Sequence, residues 1–245
     1  MHFYKIFKLN IPVTNFFFEI YKFNNFIFII FYLFLLFFII FFFTFIFHNF
    51  FLKNNKYIFI KSFFFEFFWV LLPFYSISYI FFYSIFVILK IKKFYNNYLN
   101  IKIISYQWKW YYIYLDNFNF NFFSIISNCI FNILNFDFKN KYNKNYFQKV
   151  DNKLILPLNK FIRFILISND VIHSIYIPSF GIKQDLIPSF LKIFYFKPLK
   201  LGKFFGFCSE MCGKNHSYMP IILKVLPFYN YKKWLICFFL KKNFF

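Results

Sequence analysis

Residues Phe26 to Phe47 read FIFIIFYLFLLFFIIFFFTFIF, 22 consecutive positions without a charge. At about 1.5 Å per residue a helix of that length crosses the roughly 30 Å hydrocarbon core of a bilayer with its backbone polar groups satisfied internally. A second uncharged run of 23 residues, Phe67 to Leu89, is long enough to cross again, with Pro73 expected near its beginning, where a missing backbone donor costs least. Two crossings joined by a short loop predict a transmembrane hairpin over residues 1–92, with helices at about 26–48 and 67–89. The first run exceeds the apolar stretch of a secretory signal, and no small-residue cleavage site follows it. Lysines do not set the orientation, because Lys53, Lys56 and Lys61 between the runs are balanced by Lys5, Lys8, Lys22, Lys90, Lys92 and Lys93 outside them. Glu66 opens the second run; position alone favours an interfacial carboxylate near a helix N-terminus over a proton-uptake group.

Composition excludes a wholly soluble chain: 61% of residues are hydrophobic, 31% aromatic and 15% charged. Alanine is absent, Arg163 is the sole arginine, and Phe, Ile, Asn, Lys and Tyr dominate, a bias matching A/T-rich codons. The formal net charge of +21 therefore says little about partners. Its lysines are scattered and guanidinium groups, which read phosphate and guanine in a bidentate fashion, are nearly missing, so no nucleic-acid partner is expected.

From residue 93 the pattern changes to short apolar runs broken by Pro, Gly, Asn and Asp, as in an all-β domain. Expected strands are Ile103–Tyr114, Phe161–Ser168, Val171–Ile177, Leu191–Phe196, Lys203–Phe207 and Ile221–Leu226, with a short closing helix at Tyr229–Leu240 and a tail at 241–245. Such a domain, 93–240, is large enough to enclose one sandwich or barrel core. Residues 117–149, rich in Asn, Phe and Lys, predict a long loop or insertion, and Cys129 inside it a buried apolar thiol.

Chemistry concentrates in Cys208-Ser-Glu210-Met-Cys212-Gly-Lys-Asn-His216-Ser-Tyr-Met219, which places two thiols, an imidazole and a thioether close together, with His173 upstream. A disulfide would leave the His and Met unused and close only a short loop. Tetrahedral zinc suits Cys208, Cys212, His173 and His216 but has no use for the thioether. A single blue-copper ion leaves one cysteine over. Two thiolates, two imidazoles and a thioether fit best a pair of copper ions bridged by sulfur, with one His on each metal.

The sequence resembles subunit II of the haem–copper cytochrome c oxidases in its mitochondrial form, from about Glu19 to Trp234. Besides the Cys208–Met219 run, the matching segments are Glu66-Phe-Phe-Trp69-Val-Leu-Leu-Pro73, Gln107-Trp108-Lys109-Trp110, Val150-Asp151-Asn152 and Asp170-Val-Ile-His173-Ser-Ile-Tyr-Ile-Pro178-Ser-Phe-Gly181-Ile-Lys183-Gln-Asp185. The resemblance implies a membrane-anchored all-β protein, a two-helix transmembrane hairpin followed by a cupredoxin-like β-sandwich or barrel domain carrying a binuclear CuA centre. It implies Cys208 and Cys212 as bridging thiolates, His173 and His216 as terminal ligands, and Met219 and the Glu210 carbonyl as weak ligands of the two coppers. The Glu210 carboxylate would help hold a magnesium ion shared with subunit I, Trp108 would receive an electron from cytochrome c, and Glu66 would lie at the mouth of a proton-uptake path, reversing the reading from position alone. Lys183 and Asp185 would line the subunit I interface. Electrons would pass to haem a of subunit I, where oxygen is reduced, in a proton-pumping complex with subunits I and III and accessory subunits. That complex would lie in the mitochondrial inner membrane, with the copper domain in the intermembrane space.

Departures are informative. Lys109 stands where the family has Tyr, Ser189-Phe190 where it has Gly-Arg, and Asp116, Asp151 and Asp170 are the evident survivors of the acidic surface that attracts basic cytochrome c. The insertion before Asp151 is a few residues longer than usual. A membrane-anchored copper chaperone or thiol reductase is the alternative, since it also uses two nearby Cys and a distant His; it would require one span and a thioredoxin-like α/β pattern.

Overall fold

The computed structural model describes residues 11–51, 63–91, 98–115, 120–126 and 149–243. The chain forms two compact units, Glu19–Phe94 on the one hand and Met1–Phe18 with Tyr95–Phe245 on the other.

The first unit is the membrane-anchoring hairpin of α1 (Asn15–Phe51) and α2 (Phe63–Ile91). Both helices outrun the uncharged stretches, because helical hydrogen bonding does not stop where the apolar sequence does. Helix α1 starts at Asn15 because Thr14 caps it, its Oγ1 accepting the Phe17 N–H at 3.1 Å. Since α2 begins at Phe63, Pro73 sits about three turns inside it and not near its beginning. Phe26 packs on Tyr83 at 5.1 Å and on Tyr79 at 5.5 Å, and Phe23 stacks on Tyr83 at 5.7 Å. The hydroxyls of Thr44, Ser76 and Ser84 donate to carbonyls three residues earlier, at 2.8, 2.8 and 2.7 Å, as an apolar surrounding demands. Large side chains such as Phe43 and Phe82 point outward, 65% and 68% exposed, a surface suited to lipid.

The second unit is built from two five-stranded sheets, ordered β3-β2-β1-β5-β8 and β4-β10-β9-β6-β7. Their ranges are β1 Leu99–Tyr106, β2 Lys109–Tyr114, β3 Phe120–Ser124, β4 Leu154–Pro157, β5 Ile162–Ser168, β6 His173–Ile177, β7 Ile182–Leu186, β8 Lys192–Phe196, β9 Gly202–Cys208 and β10 Pro220–Leu226. Each sheet has one parallel pair, β1 with β5 and β10 with β4, among antiparallel neighbours. Strand β5 alternates buried and half-buried residues along its whole length, so that Ile162, Phe164 and Leu166 enter the core. Cross-strand aromatic pairs support the β2–β3 register: Tyr114 stacks on Phe120 at 4.6 Å, and Tyr111 meets Phe123 at 4.4 Å with the rings tilted.

Several elements differ from the sequence expectation. Ile103–Tyr114 is not one strand but the β1–β2 hairpin, reversing at Gln107-Trp108, a pair without the Gly or Asn that usually announces such a turn. Strand β3 lies inside the stretch expected to be a loop, where its apolar residues were lost among Asn and Lys. Strand β4 has all four residues buried and so shows no alternation; it lies at a sheet edge, where Pro157 is tolerated. Cys129 falls outside the described residues.

Helix α3 (Phe228–Asn243) closes the domain, burying Tyr231 and Leu235 and setting Trp234 against Tyr114 at 5.5 Å and Phe120 at 5.6 Å. At the other end of the chain, the segment before α1 is sewn onto the same domain. Thr14 Oγ1 donates to the Phe180 carbonyl at 2.8 Å, Val13 N to Ser179 O at 3.1 Å, and Leu199 N to Val13 O at 2.7 Å. Gly181, at φ +70°, is required there: a Cβ would stand 2.7 Å from the Phe17 ring.

Candidate metal centre

The cluster assembles from three places on the second unit: the start of β6, the end of β9, and the loop that leads into β10. Strand β9 delivers Cys208, and the register Ile175↔Cys208 sets it beside β6, which begins with His173. After Cys208 the chain must turn within a few residues to enter β10 at Pro220. Gly213, at φ +114°, and a single 3₁₀ turn at His216–Tyr218 accomplish this and return Cys212, His216 and Met219 to Cys208. Cys208, Cys212, Met219 and His173 are buried; His216 is half-buried.

Two similar halves result. Cys208 Sγ has His173 Nδ1 at 3.9 Å and the Glu210 carbonyl oxygen at 3.3 Å; Cys212 Sγ has His216 Nδ1 at 3.3 Å and Met219 Sδ at 3.9 Å. The two sulfurs are 4.0 Å apart, about twice a disulfide bond, and both are free thiols. The ligand atoms of His173, Cys208 and Cys212 lie within 4.8 Å of one another. Met211, 77% exposed, stands apart from this cluster.

Surrounding groups fix the ligands. His173 Nε2 meets Asp170 Oδ1 at 2.8 Å, which leaves Nδ1 turned to sulfur, an arrangement that orients metal-binding imidazoles. Asp170 is held in turn by the N–H groups of Gln107, at 2.6 Å, and Val171, at 2.7 Å. Gln107 Nε2 donates to the Cys212 carbonyl at 2.9 Å, and Trp110 Nε1 to the Met219 carbonyl at 3.3 Å. Burial raises the Asp170 carboxyl, but the Gln107 amide and His173 outweigh it and hold it below the usual range. In His173, burial is likewise outweighed, here by the Cys208 sulfur and Asp170, so the imidazole holds its proton more tightly than usual. Burial opposes the Cys208 thiolate, yet His173 and the main chain of Ser174 bring its pKa down. Cys212 goes the other way, pushed up to about 12 by burial and then by the neighbouring Cys208 sulfur.

The donor set discriminates among the metals weighed from sequence. A single tetrahedral zinc would leave a buried thioether and a carbonyl oxygen aimed at the sulfurs without a purpose. Two soft ions would find a use for all six donors.

Trp108 lies half-buried over the loop, its Cζ2 atom 3.3 Å from where a Gly213 Cβ would stand. Glu210 is exposed. Glu66 falls in the first turn of α2, and its side chain lies outside those described. Lys183 is exposed and Asp185 half-buried on β7. The supporting role of Gln107 leaves no mark in the sequence, whereas Asp170, three residues before His173, is a usable signal for a carboxylate bracing that imidazole. Two β-sheets in place of an α/β alternation remove the basis for the thioredoxin-like alternative.

The family described as cytochrome C oxidase subunit II, periplasmic domain, matches residues 99–226. The chain is 37% identical to cytochrome c oxidase subunit 2 of Oncopeltus fasciatus over 57% of its own length and 58% of the relative's. It is 38% identical to that of a Lasius species over 59% of its own length and 60% of the relative's. The chain thus spans under two thirds of the length of these curated relatives. Among solved structures, it is similar to the periplasmic domain of subunit II of cytochrome oxidase of Bradyrhizobium japonicum, with a TM-score of 0.50 and 37% identity, covering 60% of this chain and 96% of that one. With its β-domain matched from β1 to the end of β10 and the Cys/His cluster intact, the chain belongs to the cytochrome c oxidase subunit II family.

Proposed function

We propose that this chain is the electron-accepting subunit of a cytochrome c oxidase, with Cys208 and Cys212 bridging two copper ions, His173 and His216 as terminal ligands, and Met219 and the Glu210 carbonyl as weak ones. The observation that carries this reading is the paired arrangement of donors, in which each sulfur has its own imidazole and its own weak donor. When bound, the copper pair supplies one-electron transfer between metals without bond making. The chain's residues supply the rest. Asp170 holds His173 in place, Gln107 and Trp110 anchor the carbonyls of Cys212 and Met219, and burial of the sulfurs keeps water out. A ligand set this fixed changes little in shape when its charge changes by one, which keeps transfer fast.

In the same reading Trp108, which lies against the loop at Gly213, receives the electron from cytochrome c. Glu66 takes up protons at the start of α2, and the Glu210 carboxylate helps hold magnesium, a hard cation suited to oxygen. The partners are subunits I and III and accessory subunits, with haem and oxygen chemistry in subunit I. The residence is the mitochondrial inner membrane, with the β-domain in the intermembrane space. Affinity purification of the tagged chain from its native membranes tests this. Haem should copurify and the preparation should oxidise cytochrome c with consumption of oxygen; recovery of the chain without haem would contradict the proposal.

A further inference from the structure

Asp170 can orient His173 only if the turn that carries it is itself held. That turn, between the end of β5 and the start of β6, has little packing to fix it: Asn169 is exposed, and the side chains of Val171 and Ile172 are 38% and 46% exposed. Of the two amides that hold the Asp170 carboxylate, one belongs to Gln107 and the other to Val171, which is part of the same turn.

The turn is clasped from beneath by one buried hydroxyl. Ser168, the last residue of β5 and 3% exposed, donates from Oγ to the Val171 carbonyl, and the same oxygen accepts the Asp170 N–H at 3.4 Å. Asp170 Oδ1 also lies 3.4 Å away, but the single hydroxyl proton is committed to the Val171 carbonyl. Ser168 Oγ therefore closes on the main chain at both sides of Asp170. From there the contacts run through Asp170 Oδ1 to His173 Nε2 at 2.8 Å, and from His173 Nδ1 to Cys208 Sγ at 3.9 Å.

The neighbouring strand supplies a contrast. Ser105 on β1 is the register partner of Ser168 and is 0% exposed, yet its Oγ makes no hydrogen bond among the described residues. Its only tie to the turn is through the main chain, where its carbonyl accepts the Asn169 N–H at 3.1 Å. Two buried serines thus stand side by side, one grasping the turn by its hydroxyl and the other not.

We propose that Ser168 is a positioning residue for the metal centre: its hydroxyl sets the aim of the Asp170 carboxylate and, through it, the orientation of His173 toward the sulfurs. The inference rests on the proposed function, because its consequence is read on bound copper. Without the clasp the exposed turn can swing, and the imidazole loses part of the carboxylate contact that fixes its ring and strengthens it as a donor.

The test uses the full chain in detergent, loaded with copper and titrated with a competing chelator. Ser168→Ala should lower copper affinity by about three- to tenfold, less than the 10–100-fold typical of losing the carboxylate itself. In an Asp170→Asn background the same substitution should change affinity by less than about twofold, because groups acting through one contact are not additive. Ser105→Ala, which removes a buried hydroxyl of the same strand position, should leave affinity unchanged. In proton magnetic resonance of the copper-loaded chain, the His173 Nε2–H should lose its protection against deuterium exchange in Ser168→Ala and keep it in Ser105→Ala. Ser168→Gly, a second variant without the hydroxyl, should behave as Ser168→Ala does. Equal affinities for wild type and Ser168→Ala, an undiminished loss in the Asp170→Asn background, or the same loss in Ser105→Ala would overturn the proposal. Failure of both Ser168 variants to fold would overturn it too, by making Ser168 a residue of the core and not of the site. A wild-type chain that holds no copper pair would instead refute the proposed function.

Discussion

The two halves of the cluster are held in opposite ways. His173 begins strand β6, is 0% exposed and has a carboxylate on its far nitrogen, itself held by two backbone amides. His216 begins a single 3₁₀ turn, is half-buried, and among the described residues has no carboxylate paired with it. The strand half is thus positioned by the fold, whereas the loop half depends on Gly213, on Gln107 at the Cys212 carbonyl, and on whatever the sulfurs bind. Folding prepares one side of the site, and under the proposed function copper would complete the other.

The largest effect should come from removing one of the two sulfurs that both copper ions would share under the proposed function. Cys212→Ser should abolish binding of the copper pair, read as loss of both metals by elemental analysis; retention of two coppers would break the description of a shared site. Asp170→Asn attacks the strand half alone. It should lower copper affinity by about 10–100-fold, measured by competition with a chelator, as loss of a carboxylate behind a ligating imidazole does elsewhere. Unchanged affinity would mean that the two halves are not held differently after all.

Protons sharpen the comparison. Metal-free Cys212, with its pKa pushed up to about 12 by burial and the Cys208 sulfur, is protonated at neutral pH, and His173 is biased toward its protonated form. Under the proposed function copper would displace those protons, so apparent affinity should rise with pH, by about tenfold per unit for each proton displaced between pH 6 and 8. Isothermal titration in buffers of different ionisation enthalpy should count at least one proton released per chain. A count of zero would contradict the protonated Cys212. The smallest change, Gln107→Ala, removes one hydrogen bond to the loop half and should cost about 1 kcal/mol of stability in the metal-free protein by chemical denaturation. An effect confined to the metal-bound form would place Gln107 with the metal and not with the fold.

Much of this was readable beforehand, for physical reasons. An uncharged run of 22 residues has few alternatives to a membrane helix, and thiol, imidazole and thioether within a dozen residues have few alternatives to a soft metal. What escaped reading was set by contacts distant in sequence. The start of α1 depends on Thr14, whose hydroxyl caps the helix while donating to Phe180, 166 residues away. The turn at Gln107-Trp108 is held by Asp170 and Cys212, not by turn-forming residues of its own. Asp151 and Asp170 looked like surface charge alone, and only the folded domain reveals that their oxygens accept the N–H groups of Ile125 and Gln107 across it.

The most direct test of the binuclear site is metal content together with electron paramagnetic resonance on the purified, copper-loaded chain. Two coppers per chain and a hyperfine pattern from one unpaired electron shared equally by two copper nuclei are predicted, both vanishing in Cys212→Ser. One copper with the pattern of a single nucleus, or zinc in its place, would contradict it.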